Sequence, residues 1–363
     1  MTDLGRVQRV CDDFGEIFCL TFVKGVDEAE ALRRIGAYPD TVEWRMLPDA
    51  GAMMHEFDLG YPRMAAAVAL DGWSMVIEPH GFHGSDRDLL QAVSRGTEAV
   101  NVLRHNYAAS HHFGYAASGA MVVAFPPEAP VEGRIWGAAP DRLHDEMLAV
   151  GILPADDEYD GYAVARAILL AERITGTTVP TDLLSRTLLS AQIEPWFATG
   201  AVAGDLIRRD PYSPTFDRLI DVIDAADPAV QRAVAVDEVR RQAAALGLAD
   251  TPGLTQHLLS AGGGIVAVDS DLGHHVRAWL TEQDRASWSL NDSNRHRMTN
   301  EQRTAAYALG WFTTALRGVL DPDPRVAVLT AVKPLTSTIR AFGGPETVET
   351  VIHALQATPT PLK

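Results

Sequence analysis

Ala65-Ala-Ala-Val-Ala-Leu70-Asp71-Gly72-Trp73-Ser-Met-Val-Ile-Glu78 decides how the first part of this chain folds. Two apolar runs of strand length are joined by Asp-Gly, the pair that reverses a strand through a type I′ turn matched to its natural twist. An antiparallel hairpin is expected, and the flanking sequence extends it into a sheet. Ile17 to Lys24 is rich in aromatic and β-branched residues and reads as a strand. Gly25-Val26-Asp27 closes it, with Asp27 positioned to cap a helix from Glu28 to Ile35. Downstream, Ser85-Asp86 opens a helix through Val93, Thr97 to Leu103 returns as a strand, and His112 to Ala116 with Met121 to Phe125 make a second hairpin around Ser118-Gly119. The sum predicts an α+β domain over residues 1–153, a mainly antiparallel sheet with helices on one face.

After Leu153 the texture changes. A proline is followed by Asp156, Asp157, Glu158 and Asp160, the composition of a solvated connection, and the domain boundary is expected here. Residues 154–363 then read as an all-α domain. Alanine, leucine and isoleucine at helical spacing predict helices at 162–174, 181–190, 215–225, 227–247, 271–282, 299–320, 323–342 and 345–357. Asp227-Pro228 and Asp323-Pro324 each put aspartate at an N-cap and proline at the first helical position. Those starts resemble HEAT-type solenoid helices, and a nonrepetitive bundle fits them equally.

Composition removes several classes of function. The 363 residues are 47% hydrophobic and 22% charged, with a formal net charge of −17. That charge argues against a phosphate-backbone ligand, so no nucleic-acid partner is expected; Arg295-His296-Arg297 reads as a solvated loop. No window reaches the roughly 18 uninterrupted apolar residues of a membrane span. Only two cysteines are present, Cys11 and Cys19, too few for a disulfide framework, although one bridge between them is possible. The N-terminus lacks the pattern of a secretory leader, and a cytoplasmic location is expected. No cofactor is expected either: Ala261-Gly-Gly-Gly264 has no following lysine or threonine to hold a phosphate.

The segment from Trp73 through Glu78-Pro79-His80-Gly81-Phe82-His83-Gly84 runs a strand into a glycine-punctuated loop. With Cys19-Leu-Thr-Phe-Val-Lys-Gly-Val-Asp27, Ala31 to Gly36, Gly96-Thr97, Ala124-Phe-Pro and Gly137 to Leu143, it resembles a family of uncharacterised actinobacterial proteins known only as a domain of unknown function. The resemblance spans about the first 150 residues. It implies a fold and transfers no site residue; where that family has asparagine-glycine after the Glu-Pro pair, this chain has His80-Gly81.

Two functional readings stand side by side. The first is a non-enzymatic interaction protein, an immunity or defence-associated factor whose acidic surface attracts a basic protein partner, with Trp73, His80, Phe82, His83 and Trp288 as binding candidates. The second is a metal-dependent hydrolase with His80, His83, Asp86 and His112 as ligands and Glu78 as general base. The spacing permits that metal site without demanding it. Two ligands three residues apart on a glycine loop lack a helical scaffold, and His111 and His112 on one strand point to opposite faces.

Overall fold

The computed structural model describes residues 3–153, 161–209 and 214–357, so the acidic connection expected at 154–160 lies outside the described residues. The chain divides into two compact units, Met1–Glu56 with Pro62–Ala198 and Phe57–Tyr61 with Thr199–Lys363.

The first unit is built on eight strands: β1 (Ile17–Lys24), β2 (Glu43–Met46), β3 (Met64–Leu70), β4 (Trp73–Pro79), β5 (Glu98–His105), β6 (His112–Ala117), β7 (Ala120–Phe125) and β8 (Thr187–Gln192). They form one antiparallel sheet in the order β2-β8-β3-β4-β1-β5-β6-β7. Its helices are α1 (Asp3–Phe14), α2 (Glu28–Arg34), α3 (Leu47–Met53), α4 (Arg87–Val93), α5 (His144–Ala149) and α6 (Ala163–Thr175).

β1 lies at the centre, paired with β4 and β5, and the alternation of its side chains sorts the core into two layers. Phe18, Leu20 and Phe22 join Ile77 and Met75 of β4 and Val102 and Val100 of β5 on one face, where Val7, Val10 and Cys11 of α1 and Ile168 and Ala171 of α6 cover them. On the opposite face Val23, Val76, Ala65, Ala67 and Ala99 meet Leu32 and Ile35 beside α2 and Leu89, Leu90 and Val93 of α4. The small residues let these helices lie close to the sheet. Helices therefore cover both faces, where the sequence predicts one, because the apolar residues of the central strands are not confined to alternate positions. Both cysteines are free and buried.

The Asp71-Gly72 hairpin forms as expected, with Leu70 paired to Trp73. Its turn is not type I′, since Gly72 takes φ +70 and Asp71 stays out of the positive-φ region. The I′ pattern occurs instead at Ser118-Gly119, with φ of 51 and 83. The helix predicted at 181–190 is a short 3-10 turn followed by β8, which fills the gap between β2 and β3. Pairing on both sides overrides the helical spacing of its leucines. With α6 on the core and β8 in the sheet, the boundary expected at residue 153 moves to Ala198.

The second unit contains α7 (Pro214–Ala225), α8 (Pro228–Ala245), α9 (Leu254–Leu259), α10 (Asp271–Trp288), α11 (Asn300–Val319), α12 (Pro324–Ala331) and α13 (Pro345–Gln356). α8, α10, α11 and α12 pack together, and the rings of Trp279 and Phe312 meet edge to face at 5.5 Å. Asp227 and Asp323 cap α8 and α12 as expected. α12 ends well before residue 342, because Pro334 has no N–H to continue the ladder. Among the described residues no helix is long and apolar enough to cross a membrane.

α11 and α12 approach closely at Gly318, where a Cβ would stand 2.1 Å from Thr330 Cβ. Gly318→Ala is expected to destabilise this unit by about 1–3 kcal/mol, the usual range for overpacking. Hydrogen exchange of the α11 and α12 amides checks it, and unchanged protection contradicts it.

Candidate functional site

Strand register assembles a polar strip in the middle of the sheet. Cys19 pairs with Glu78 and with Leu103, and Thr21 pairs with Val76 and with Asn101, so Cys19, Thr21, Glu78 and Asn101 share the face that carries α2 and α4. All four are buried. The Asn101 amide donates to Thr21 Oγ1 at 2.9 Å and Cys19 Sγ at 3.0 Å, while its own Oδ1 has no partner among the described residues.

Glu78 organises the loop that follows it. Its Oε2 accepts the N–H of His83 at 2.9 Å and its Oε1 that of Gly84 at 2.7 Å. The loop lies directly on the carboxylate. A Cβ at Gly81 would stand 2.8 Å from Glu78 Cβ, and one at Gly84 would stand 2.2 Å from Thr21 Oγ1 and 2.9 Å from Glu78 Oε1. Only glycine allows that approach. Burial pushes the Glu78 carboxyl up to about 7, against the lowering pull of these two N–H groups, the Cys19 thiol and the Arg63 guanidinium. Burial and the acid's proximity also drive the Cys19 thiol well above its ordinary value.

A carboxyl near neutrality suits proton transfer. Here, however, both oxygens are engaged by backbone donors beneath the loop, and the group acts as an anchor. Above it Phe82 is 41% exposed, with its ring 4.8 Å from that of His83 and 5.9 Å from that of His105. Tyr107, on the turn after His105, is 79% exposed and bonded to Glu16. The anchored loop and this turn present an aromatic rim at one end of β5.

The other candidates fall in separate places. His80 is exposed, at φ +56, a left-handed position that asparagine or glycine adopts more cheaply, and its ring stands 5.9 Å from His55. Asp86 is spent capping α4, accepting from the N–H of Asp88 and of Leu89. His83 is pushed down to about 3 by burial, with Arg63 adding to the effect, and burial takes His112 down to about 4, its Nδ1 unpartnered among the described residues. Among the described residues no three or more His, Cys, Asp or Glu side chains come together as metal ligands would. The proposed set His80, His83, Asp86 and His112 is therefore not assembled, since His80 is exposed and Asp86 caps the start of α4. Trp73 is a core residue beneath the Lys24 ammonium rather than an exposed binding group. Trp288, at the end of α10, is 55% exposed.

Thr21, Asn101 and Tyr107 had no place among the sequence candidates. The signal available was a polar residue interrupting an apolar strand, as in Ala99-Val-Asn101-Val-Leu103.

Comparison with protein-family models matches residues 7–193 to DUF6461, a family of unknown function, and the matched span takes in all eight strands. No curated protein and no solved structure matches the chain.

Proposed function

The chain belongs to DUF6461, a family of unknown function, and from the geometry of its sheet unit we propose that it is a non-enzymatic recognition protein that holds a protein partner on the Phe82 rim. The observation that carries this reading is the use of Glu78. A buried carboxylate is costly, and this one serves to fix a loop whose tip carries an exposed phenylalanine among imidazoles. Fixing the loop lowers the ordering cost of binding, and exposed aromatic residues are the usual anchors of protein interfaces. The commitment of both Glu78 oxygens and the dispersal of the histidines count against the hydrolase reading.

The net charge of −17 favours a basic partner and speeds its approach. An immunity or defence-associated factor opposing a basic toxin is the role that combines these features.

Affinity capture from the native host with the full chain, beside Phe82→Ala and a Phe82→Ala, Tyr107→Ala pair, tests the proposal. A partner held by the unaltered chain is expected to lose about 2 kcal/mol of binding, roughly 30-fold, when Phe82 is removed. A partner retained equally by all three proteins, or none retained by any, overturns it.

A further inference from the structure

We propose that a cavity of about 560 Å³ in the sheet unit, lined by Arg104 and Glu128, is a binding site for a small zwitterion of the amino acid or dipeptide class. Its volume falls in the range of about 300–1,000 Å³ typical of small-molecule sites.

Its walls carry opposite charges that do not satisfy each other. Arg104 donates through Nη1 to the Cys11 carbonyl at 2.8 Å and through Nε to Asn106 Oδ1 at 3.2 Å; Nη2 makes no hydrogen bond among the described residues. Glu128 Oε2 is buried, with no hydrogen-bond partner among the described residues. Both act on His111, Glu128 raising and Arg104 lowering its proton affinity, while burial, the largest influence, lowers it. His111 Nδ1 accepts the His105 N–H at 3.3 Å, so the neutral ring carries its proton on Nε2 and adds a donor to the lining. Val164 and Cys11 supply an apolar wall.

A buried acceptor with no donor is unfavourable, and two opposed charges across one space call for a ligand with the reverse arrangement. An ammonium group supplies the N–H that Glu128 lacks. A carboxylate on the same molecule meets the open edge of the Arg104 guanidinium, and the Nε2–H of His111 gives it a second donor. A simple anion would leave Glu128 unpaired, and a simple cation would leave Arg104 so.

Calorimetric titration of the full chain with L-alanine and L-alanyl-L-alanine, alongside N-acetyl-L-alanine and L-alaninamide, tests the assignment. At least one zwitterion is expected to bind saturably at one site, and the two singly charged analogues about tenfold or more weaker. Glu128→Gln is expected to weaken the zwitterion about tenfold and leave the N-acetyl compound unchanged, whereas Arg104→Met weakens the zwitterion by a similar factor and leaves L-alaninamide unchanged. Arg104 also holds the Cys11 carbonyl, so if that variant fails to fold, Glu128→Gln decides alone. No saturation by either zwitterion up to about 10 mM, or equal binding by Glu128→Gln, overturns the proposal and leaves the cavity to water. None of these outcomes bears on the Phe82 rim, whose residues do not line the cavity.

Discussion

Gly84→Ala is expected to destabilise the sheet unit by about 3–4 kcal/mol, because the added methyl meets both close packing and a buried acid. The added carbon would arrive 2.2 Å from Thr21 Oγ1, 2.9 Å from Glu78 Oε1 and 3.0 Å from the Asn101 amide nitrogen. Three polar groups on three strands would have to give way, and none is the end of a flexible side chain free to swing out. Thr21 and Asn101 are buried and bonded to each other, and Glu78 is held by the loop. Relief comes only by lifting the loop, which leaves the carboxylate buried without its N–H donors. One cost or the other then applies, overpacking or an unsatisfied buried acid. Urea unfolding with hydrogen exchange at β1 and β4 amides measures the loss. A change below about 1 kcal/mol would mean the loop is far more yielding than this contact implies.

The second large effect concerns pH. A carboxyl at about 7 in the folded protein and near 4.5 when unfolded binds more proton in the fold throughout that interval. Stability from Glu78 is thus full below pH 4.5, falls as pH rises and is gone above about 7, a swing of about 3 kcal/mol. His83 and His112 work in the opposite direction. Burial lowers them to about 3 and about 4, so the unfolded chain binds more proton below 6.5 and their share of stability increases with pH through the same window. The raw pH profile therefore mixes opposing slopes, and the informative quantity is the unaltered protein minus Glu78→Gln. Glutamine keeps the shape and cannot titrate. Arg63 rather than Glu78 is the charge that acts on His83, so the histidine slopes cancel in the difference. That difference should decline by about 3 kcal/mol in favour of the variant between pH 4.5 and 7. A flat difference would show that Glu78 keeps an ordinary affinity for its proton.

The β3–β4 hairpin is legible in the sequence because its two apolar runs and its Asp-Gly turn are adjacent. The helix caps at Asp27, Asp227 and Asp323 are legible for the same reason, each a local contact between a side chain and a nearby backbone N–H. β8 is not. Thr187-Leu-Leu-Ser-Ala-Gln192 has no β-branched run, and what makes it a strand is a slot between β2 and β3, over 100 residues earlier in the chain. α1 could have been read, since Val7, Val10, Cys11 and Phe14 recur at helical intervals, with three of them buried.

At the candidate site Glu78 and its loop are visible as a strand end followed by glycines. The carboxylate's role depends on Thr21 and Asn101, about 60 and 20 residues away, brought beside it only by register. The zwitterion cavity was invisible for a further reason. Arg104 and Glu128 become notable through what they fail to touch.

Placing both cysteines in the sheet unit gives this protein an internal clock. Burial pushes the Cys11 thiol up to about 12 and drives the Cys19 thiol well above its ordinary value, so neither presents a thiolate while the sheet unit is folded. The chain has no other sulfhydryl. Alkylation at neutral pH consequently proceeds at the frequency with which the sheet unit opens, and a chain that melts only its second unit stays unlabelled.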